Sequence, residues 1–468
     1  MIRDVRTLAA RVVGELRALG GTALLPVRMA KGRRMARAVA RHERRDGWVS
    51  VIMPTRDVGR YIDACLRSLL GQGYWRIEVV VVDDGSTDGT RRKLARWQRR
   101  DSRVHVLDID VADPNAARNH GIEHARGEYL TFLDGDDVLL AGAYRDLVGS
   151  LERSGSDFAV GSYDRLDRRR RSPAAFWIDE AHHVGRAGTT LAEHPAIMVN
   201  AVQWSKVYRR GFWDAAEMRF PEGGHFQDQI VSAKAYSRAV AFDVLQRKTV
   251  SWRIRHDGTS MTQQVVLPRQ IADRFATTFA ALEILEEEAS PELSTARLIQ
   301  YLSNDIAIAA AQLPGMGDEA YDALRRGLER LAPPLERDDV WHQVPAESKV
   351  LYALILAGDE PRARAYITLG GLDLLRHELV SIESAHYVRL PFWSDPSVEL
   401  PREWFRAAPR ELRAFAHHTG VLPGVEEAPV VGADATWPTG SVPRSLRSGG
   451  GEAAAPARAE QAHEIIAD

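Results

Sequence analysis

The sequence predicts an α/β fold in which an open, mostly parallel sheet is wound on both faces by helices, and three observations predict it. The run Ile77 to Val82 is almost wholly apolar and β-branched, the composition of a parallel strand buried on both faces. Helical patterns alternate with such runs. Tyr61 to Leu70 sets Ile62, Leu66 and Leu69 on one side, Thr90 to Arg99 carries Leu94 and Trp97, and Asn115 to Ala125 precedes the next apolar run. Strand alternating with helix several times implies right-handed crossovers, and in such sheets ligands bind beyond the carboxyl ends of the strands.

Those ends are acidic. VSVIMPTRD (Val49 to Asp57), RIEVVVVDDGSTDGT (Arg76 to Thr90) and YLTFLDGDDVLL (Tyr129 to Leu140) each finish a strand in carboxylates, so Asp57, Asp83, Asp84, Asp134, Asp136 and Asp137 are expected to share one crevice. Hard cations such as Mg²⁺ or Mn²⁺ take oxygen ligands. They are commonly held by one or two protein carboxylates while phosphates and water complete the shell. The spacing Asp134-x-Asp136 suits such a metal-diphosphate site, although Asp-Gly-Asp is also ordinary turn chemistry.

With these segments, ARNHGIEHARGEYLTFLDGDD (Ala117 to Asp137), WSKVYRRGFW (Trp204 to Trp213) and FPEGGHFQDQIV (Phe220 to Val231) in this order, the chain resembles the inverting glycosyltransferases of family 2. The resemblance covers Trp48 to Thr262. It implies a GT-A nucleotide-sugar-binding domain, Rossmann-like with a mostly parallel central sheet, followed here by a mainly helical C-terminal region. It also implies Mn²⁺ or Mg²⁺ as cofactor, a nucleotide-sugar donor with a lean toward UDP, and a glycan, cell-envelope polymer or lipid-linked acceptor.

Carried over residue by residue, the resemblance places Pro54, Thr55 and Arg56 at the nucleobase, with Thr55 and Arg56 standing where the family has Tyr-Asn. Asp84 would accept the base N–H. Arg118 would face the diphosphate, where a planar fork of donors suits phosphate oxygens. Asp134 would approach the ribose and Asp136 would hold the metal. Inversion requires a general base that takes the acceptor hydroxyl's proton as it attacks. The family supplies the Asp of a Glu-Asp pair, and the corresponding residues here are Gln227 and Asp228. Gln227 removes a neighbouring charge, so Asp228 feels less like-charge repulsion. Read without the family, Asp228 simply starts a helix over Gln229 to Tyr236. Trp204, His225 and Gln227 fall on the acceptor side. Arg253, Arg255 and His256, in SWRIRHDGTSMT (Ser251 to Thr262), would cover the diphosphate, and alternation puts Arg253 and Arg255 on the same side of an extended run.

Composition fits a cytoplasmic enzyme. The 468 residues suffice for two or three domains, the net charge of −2 gives no general reason to expect nucleic acid, and a single cysteine, Cys65, excludes an intramolecular disulfide and a multi-cysteine zinc site. Residues 1–47 carry twelve basic against four acidic side chains, with Ile2, Val5, Leu8, Val12, Leu16 and Leu19 at helical spacing. Such a basic amphipathic helix either lies on anionic lipid, as a peripheral contact at the inner face of the membrane, or docks on the protein's own core.

The run Arg168 to Arg171 is either a solvated loop or a contact for an anionic acceptor polymer. The family domain is expected over 48–265. A mainly helical accessory region then spans 266–425, with patterns from Pro268 (Ile271, Phe275, Phe279, Leu282, Leu285), Leu298 to Leu313, Tyr321 to Leu331 and Ser348 to Ile367. From His377 to Leu422 the sequence is aromatic and mixed, fitting either strands or an irregular cap. A tail over 426–468, rich in Ala, Gly, Pro and Ser, reads as disordered. In relatives such extensions serve acceptor binding or homo-oligomerisation. Two rival functions stand beside transfer. A sugar-phosphate nucleotidyltransferase would need a Gly-rich basic loop after the first strand, which PTRDVGRY lacks. A catalytically degenerate nucleotide-sugar or polymer binder would fit Gln227 and Arg56.

Overall fold

The computed structural model describes residues 45–256, 266–398 and 400–419. The amphipathic pattern of residues 1–44, the start of the loop after His256 and the composition-biased tail lie outside the described residues. Within them, 45–256 with 280–294 form one compact unit, and 266–279 with 295–419 form a second.

The first unit is built on a ten-stranded mixed sheet. Its strands β1 (Arg45–Thr55), β2 (Ile77–Asp84), β3 (Val104–Ile109) and β4 (Gly127–Phe132) are parallel. They alternate with helices α1 (Ile62–Leu70), α2 (Thr90–Arg100) and α3 (Pro114–His124). After the short β5 (Val138–Leu139) come α4 (Ala143–Ser154), β6 (Phe158–Asp167), β7 (Arg170–Pro173), α5 (Phe176–Ala181), β8 (Arg186–Thr189), β9 (Lys206–Arg209), α6 (Arg210–Ala215), α7 (Asp228–Arg238) and β10 (Phe242–Ile254). The spatial order is β3-β2-β1-β4-β9-β6-β10-β5, with β7 on β6 and β8 on β10. β9 runs antiparallel to both β4 and β6, and β6 and β10 are parallel. The first strand begins three residues before Trp48.

Local chemistry accounts for these elements. Every residue of β2 is buried, as its apolar run requires. α1 buries Ile62, Cys65, Leu66, Leu69 and Leu70, a stripe at the 3.6-residue period, against the sheet. α3 starts at Asp113, whose carboxylate accepts the Asn115 N–H, with Pro114 in the first turn where no N–H is needed. Gly121 lets α3 lie flat on the sheet, since a Cβ there would stand 2.6 Å from Ile52 Cγ2. Chain order reverses about β1: the path moves outward to β2 and β3, then returns to β4 on the other side. That switch point opens a crevice at the carboxyl ends of β1 and β4.

The second unit is helical. Its elements include the start of α8 (Pro268–Glu288), then α9 (from within Pro291–Gln300), α10 (Ile306–Ala311), α11 (Asp318–Leu331), α12 (Asp338–Trp341), α13 (Ala346–Leu356), α14 (Glu360–Thr368) and α15 (Pro409–Thr419), with a hairpin of β11 (Leu379–Ile382) and β12 (Ala385–Val388). The pattern read over Ser348 to Ile367 divides at Gly358, whose φ of 71° ends α13, and Asp359 caps the next helix by accepting the Arg362 N–H. The mixed segment from His377 holds both a hairpin and a terminal helix.

α13 is almost wholly buried and draws two acids in with it. Glu411 accepts the N–H groups of Ala346 (2.9 Å) and Ala408 (2.7 Å). Burial and then the Glu411 charge push Glu347 up from its ordinary 4.5 to about 8. The folded chain therefore keeps this proton long after the unfolded chain releases it, and stability falls as pH rises from about 4.5 to about 8. Glu347→Gln is expected to leave Tm unchanged at pH 5 and to raise it by roughly 5 °C at pH 9. Scanning calorimetry at both pH values tests this, and equal shifts would refute it.

Candidate active site

The loops after β1 and β2 are sewn together. Pro54 falls where β1 has already parted from β4 and pairs only with Val82 of β2, so its missing N–H breaks no ladder bond on the other edge. Thr55 donates to the Val82 carbonyl at 3.2 Å. Asp57 adopts a left-handed φ of 50°, and its carboxylate accepts the N–H groups of Thr87 (2.7 Å) and Asp88 (3.2 Å). Asp83 accepts from Ser86 and Arg91. Asp84 accepts three backbone N–H groups, from Val111, Ala112 and Asp113 at 2.8, 2.9 and 2.7 Å. Its carboxylate therefore holds the β3–α3 loop in place beside Pro54, Thr55 and Arg56. Arg56 donates to the Asp84 carbonyl at 3.1 Å and is half exposed.

β4 delivers the acidic turn into the same crevice. Gly135 packs against the β1 loop so closely that a Cβ would meet Thr55 Cγ2 at 2.8 Å and Val58 Cγ2 at 3.1 Å. Gly135→Ala is expected to cost about 1–3 kcal/mol through overpacking, read as a lowered Tm, while Gly149→Ala on half-buried α4, where a Cβ would meet only the flexible Arg153 guanidinium at 3.3 Å, should not. An unchanged Tm for the first variant would contradict the packing. On either side of Gly135 each acid meets its own arginine: Arg118 Nη2 lies 2.9 Å from Asp134 Oδ1, and Arg255 Nε lies 2.9 Å from Asp136 Oδ2. Arg253 donates its Nε to the Asp136 carbonyl at 2.6 Å and its N–H to Asp137 at 2.8 Å. The guanidiniums of Arg253, near the end of β10, and Arg255, just past it, both stand 5.3 Å from the Tyr61 ring.

Burial pushes Asp136 up to about 6, with Arg255 opposing and Asp134 adding to the shift. The Asp136 and Asp134 side chains nevertheless retain 19% and 35% exposure, so both open onto the crevice. Among the described residues no three acidic, histidine or cysteine side chains converge as a self-sufficient metal cage. Two like charges held close and facing a cleft fit a hard divalent cation whose remaining ligands are phosphate oxygens and water.

Asp228 opens α7 and accepts its neighbour's N–H, from Gln229, at 3.1 Å. The turn before it is forced: Gly223, Gly224 and Phe226 have φ of 74°, 80° and 61°. Phe226 in that region is costly, and such strain persists where the surroundings hold it. α3 supplies the hold. Asn119 donates to the Phe220 carbonyl (2.8 Å) and accepts the Phe220 N–H (3.1 Å), Asp113 accepts the Gly223 N–H (2.6 Å), and Arg118 stands 5.4 Å from the Phe220 ring. From behind, Gln203 donates to the Asp228 carbonyl at 3.1 Å, and the buried Lys206 ammonium donates to the carbonyls of Asn200 and Val202. Burial raises the Asp228 carboxyl above its ordinary value, Arg118 and Lys206 pull it down, and Asp134 pushes it up. Arg118 and Asp134 thus act on Asp228 through their charge while they bond to each other, which puts the general-base candidate within electrostatic reach of the acidic turn.

The remaining residues singled out in the sequence divide. Gln227 donates to the Gly223 carbonyl at 2.9 Å, and its side-chain amide oxygen is buried with no hydrogen-bond donor among the described residues. His225 is half-buried beside Phe226. Trp204 is buried edge-on against Tyr163 at 4.7 Å and packs in the core. His256 turns to Asp167 (2.5 Å) at the rim. Tyr61, Asn119, Gln203 and Lys206 were not singled out as site residues in the sequence. Asparagines on the sheet-facing side of α3 were the available signal; Lys206, at the head of the short KVYR strand, and Tyr61 offered none.

Comparison with known proteins agrees with the fold. Residues 50–198 match the family described as Glycosyl transferase family 2. The glycosyltransferase GlyA of Streptococcus pneumoniae is 25% identical over 383 residues, covering 79% of this chain and 51% of its own length. The poly(ribitol-phosphate) β-N-acetylglucosaminyltransferase TarS of Staphylococcus aureus is 25% identical over 264 residues, 56% of this chain and 44% of its own. A glucosyltransferase of Escherichia coli, WfgD, which uses UDP-Glc and α-D-GlcNAc-diphosphoundecaprenol, is 34% identical over 123 residues, 26% of this chain and 48% of its own. The chain thus spans about half the length of these curated relatives. The crystal structure of TarS residues 1–349 with UDP-GlcNAc superposes with a TM-score of 0.56 at 21% identity, over 73% of this chain and 97% of that one. No helix among the described residues is long and apolar enough to cross a membrane. A match to glycosyltransferase family 2 over residues 50–198 thus lies within a unit that has the GT-A fold.

Proposed function

We propose that the protein transfers a sugar, with inversion, from a UDP-sugar to a hydroxyl of a cell-envelope polymer or lipid-linked glycan. The observation that carries this reading is the position of Arg118, bonded to Asp134 and acting on Asp228, because it ties a diphosphate-side group to a base-side group. Asp228 takes the acceptor proton as the hydroxyl attacks the anomeric carbon, and the bond to the diphosphate breaks on the opposite face. Its raised proton affinity improves it as a base once ionised. Arg118, Arg253 and Arg255 face the leaving diphosphate with charge that need not reorganise during reaction. Asp136, with Asp134 beside it, would hold Mn²⁺ or Mg²⁺, which when bound offsets charge on the departing group. Pro54 to Arg56 and the loop fixed by Asp84 receive the base.

The lean toward UDP and toward an envelope acceptor rests on the relatives: TarS is named for a poly(ribitol-phosphate) acceptor and is solved with UDP-GlcNAc, and WfgD is named for a diphosphoundecaprenol-linked one. A thermal-shift screen over nucleotide sugars with and without Mn²⁺, followed by donor hydrolysis, tests the proposal. A UDP-sugar should raise Tm in a metal-dependent way and be hydrolysed slowly. Binding without any turnover would favour a non-catalytic sugar-nucleotide binder.

A further inference from the structure

β6 and β7 form a hairpin closed by two residues, Arg168 and Arg169, in the register Asp167 opposite Arg170 and Leu166 opposite Arg171. All four arginines are exposed, and among the described residues none has an ionic partner. The tip is poorly chosen for folding alone. Arg168 has a φ of 51°, at a position where a two-residue hairpin favours Asn or Gly, and four adjacent like charges repel. The surroundings locate the tip at the rim of the crevice. On the same sheet, Leu166 and Asp167 pair with Arg253 and Ile254 of β10, and Asp167 meets His256 at 2.5 Å. His256 follows Arg255, which meets Asp136 at 2.9 Å. From Asp136 to Arg168 the path is therefore two side-chain contacts and two peptide steps.

We propose that the Arg168–Arg171 tip is the docking surface for a polyanionic acceptor, a polymer with repeating phosphodiester charges, whose reacting end enters the crevice beside it. The assignment rests on the transferase reading above. A flexible polyanion gains from four unpaired guanidiniums by releasing its counterions, and each guanidinium can take phosphate oxygens in bidentate fashion. The turn and β7 expose arginines rather than rings or branched apolar side chains, so the surface suits a solvated polymer rather than insertion into lipid.

The test compares the full chain with a variant carrying Arg168→Ser, Arg169→Ser, Arg170→Ser and Arg171→Ser, and with one carrying lysine at the same four positions. Inorganic polyphosphate is the probe, with vesicles of phosphatidylglycerol in phosphatidylcholine alongside. The serine variant should keep its Tm and its donor hydrolysis and bind polyphosphate at least tenfold more weakly. The slope of log Kd against log salt should fall by about 2–3, from about 0.7 per neutralised phosphate. The lysine variant should keep most of the binding. Unchanged polyphosphate binding in the serine variant overturns the proposal, as does binding by the parent to vesicles but not to polyphosphate. If the parent hydrolyses no nucleotide sugar yet the serine variant still loses polyphosphate, the transferase reading fails while the anion surface stands.

Discussion

Asp228→Asn is expected to lower kcat by about 10²–10⁴-fold while leaving UDP-sugar affinity within a factor of a few, because the amide keeps the shape of the carboxylate and cannot take a proton. Binding of UDP measured by calorimetry separates this from loss of the fold. The pH profile of the parent carries the sign. The base works only when ionised, and burial raises its proton affinity in the folded chain, so kcat/KM should be low in acid and climb through an apparent pKa above the ordinary 3.8 of aspartate. Gln227→Glu restores a second carboxyl next to it and should move that rising limb to higher pH by like-charge repulsion. A fully active Asp228→Asn enzyme would show that the proton leaves by another route.

Asp136→Asn is expected to do two opposite things. It should remove the metal-dependent Tm increase given by UDP and lower turnover by on the order of 10²–10³-fold, as loss of charge stabilisation at a leaving group does. It should also make the ligand-free protein more stable. The folded Asp136 carboxyl holds its proton up to about pH 6, whereas the unfolded one releases it near 3.8, so ionisation opposes folding across that window and above it. A neutral amide removes that penalty, on the order of 2 kcal/mol above pH 7 once partial exposure is discounted. An inactive variant that melts higher than its parent identifies an acid kept for function rather than for folding. An inactive variant that melts lower, or one with normal metal-dependent UDP binding, argues against the metal role.

The same opposition explains what could be read along the chain. Residues such as Ile77 to Val82 and the α1 stripe carry their environment in their composition, because an apolar, β-branched run has few stable places other than a buried parallel strand. The acidic ends of β1, β2 and β4 were legible for a related reason: parallel strands bring every carboxyl end to one edge, so order along the chain dictates convergence in space. Breaks inside helical patterns were less legible. Gly358 divides one apparent helix in two because its left-handed backbone, rather than its hydropathy, ends α13.

By itself, then, the sequence determined the wound sheet, the acidic edge and the identity of the charged groups that gather there, since periodicity and strand chemistry are local and each residue declares its own. Only the tertiary structure decided which charges are neighbours. Asp228 lies 91 residues beyond Asp137 in the chain, and nothing in its own segment distinguishes a helix-starting acid from a base. It feels the charge of Arg118 because α3 grips the 219–227 loop through Asn119 and Asp113, contacts between segments about a hundred residues apart. The same long-range packing buries Trp204, turns His256 to Asp167 and sets Tyr61 under two arginines. These are outcomes of desolvation and close packing, whose energies depend on the whole surroundings of a side chain and not on its neighbours in sequence.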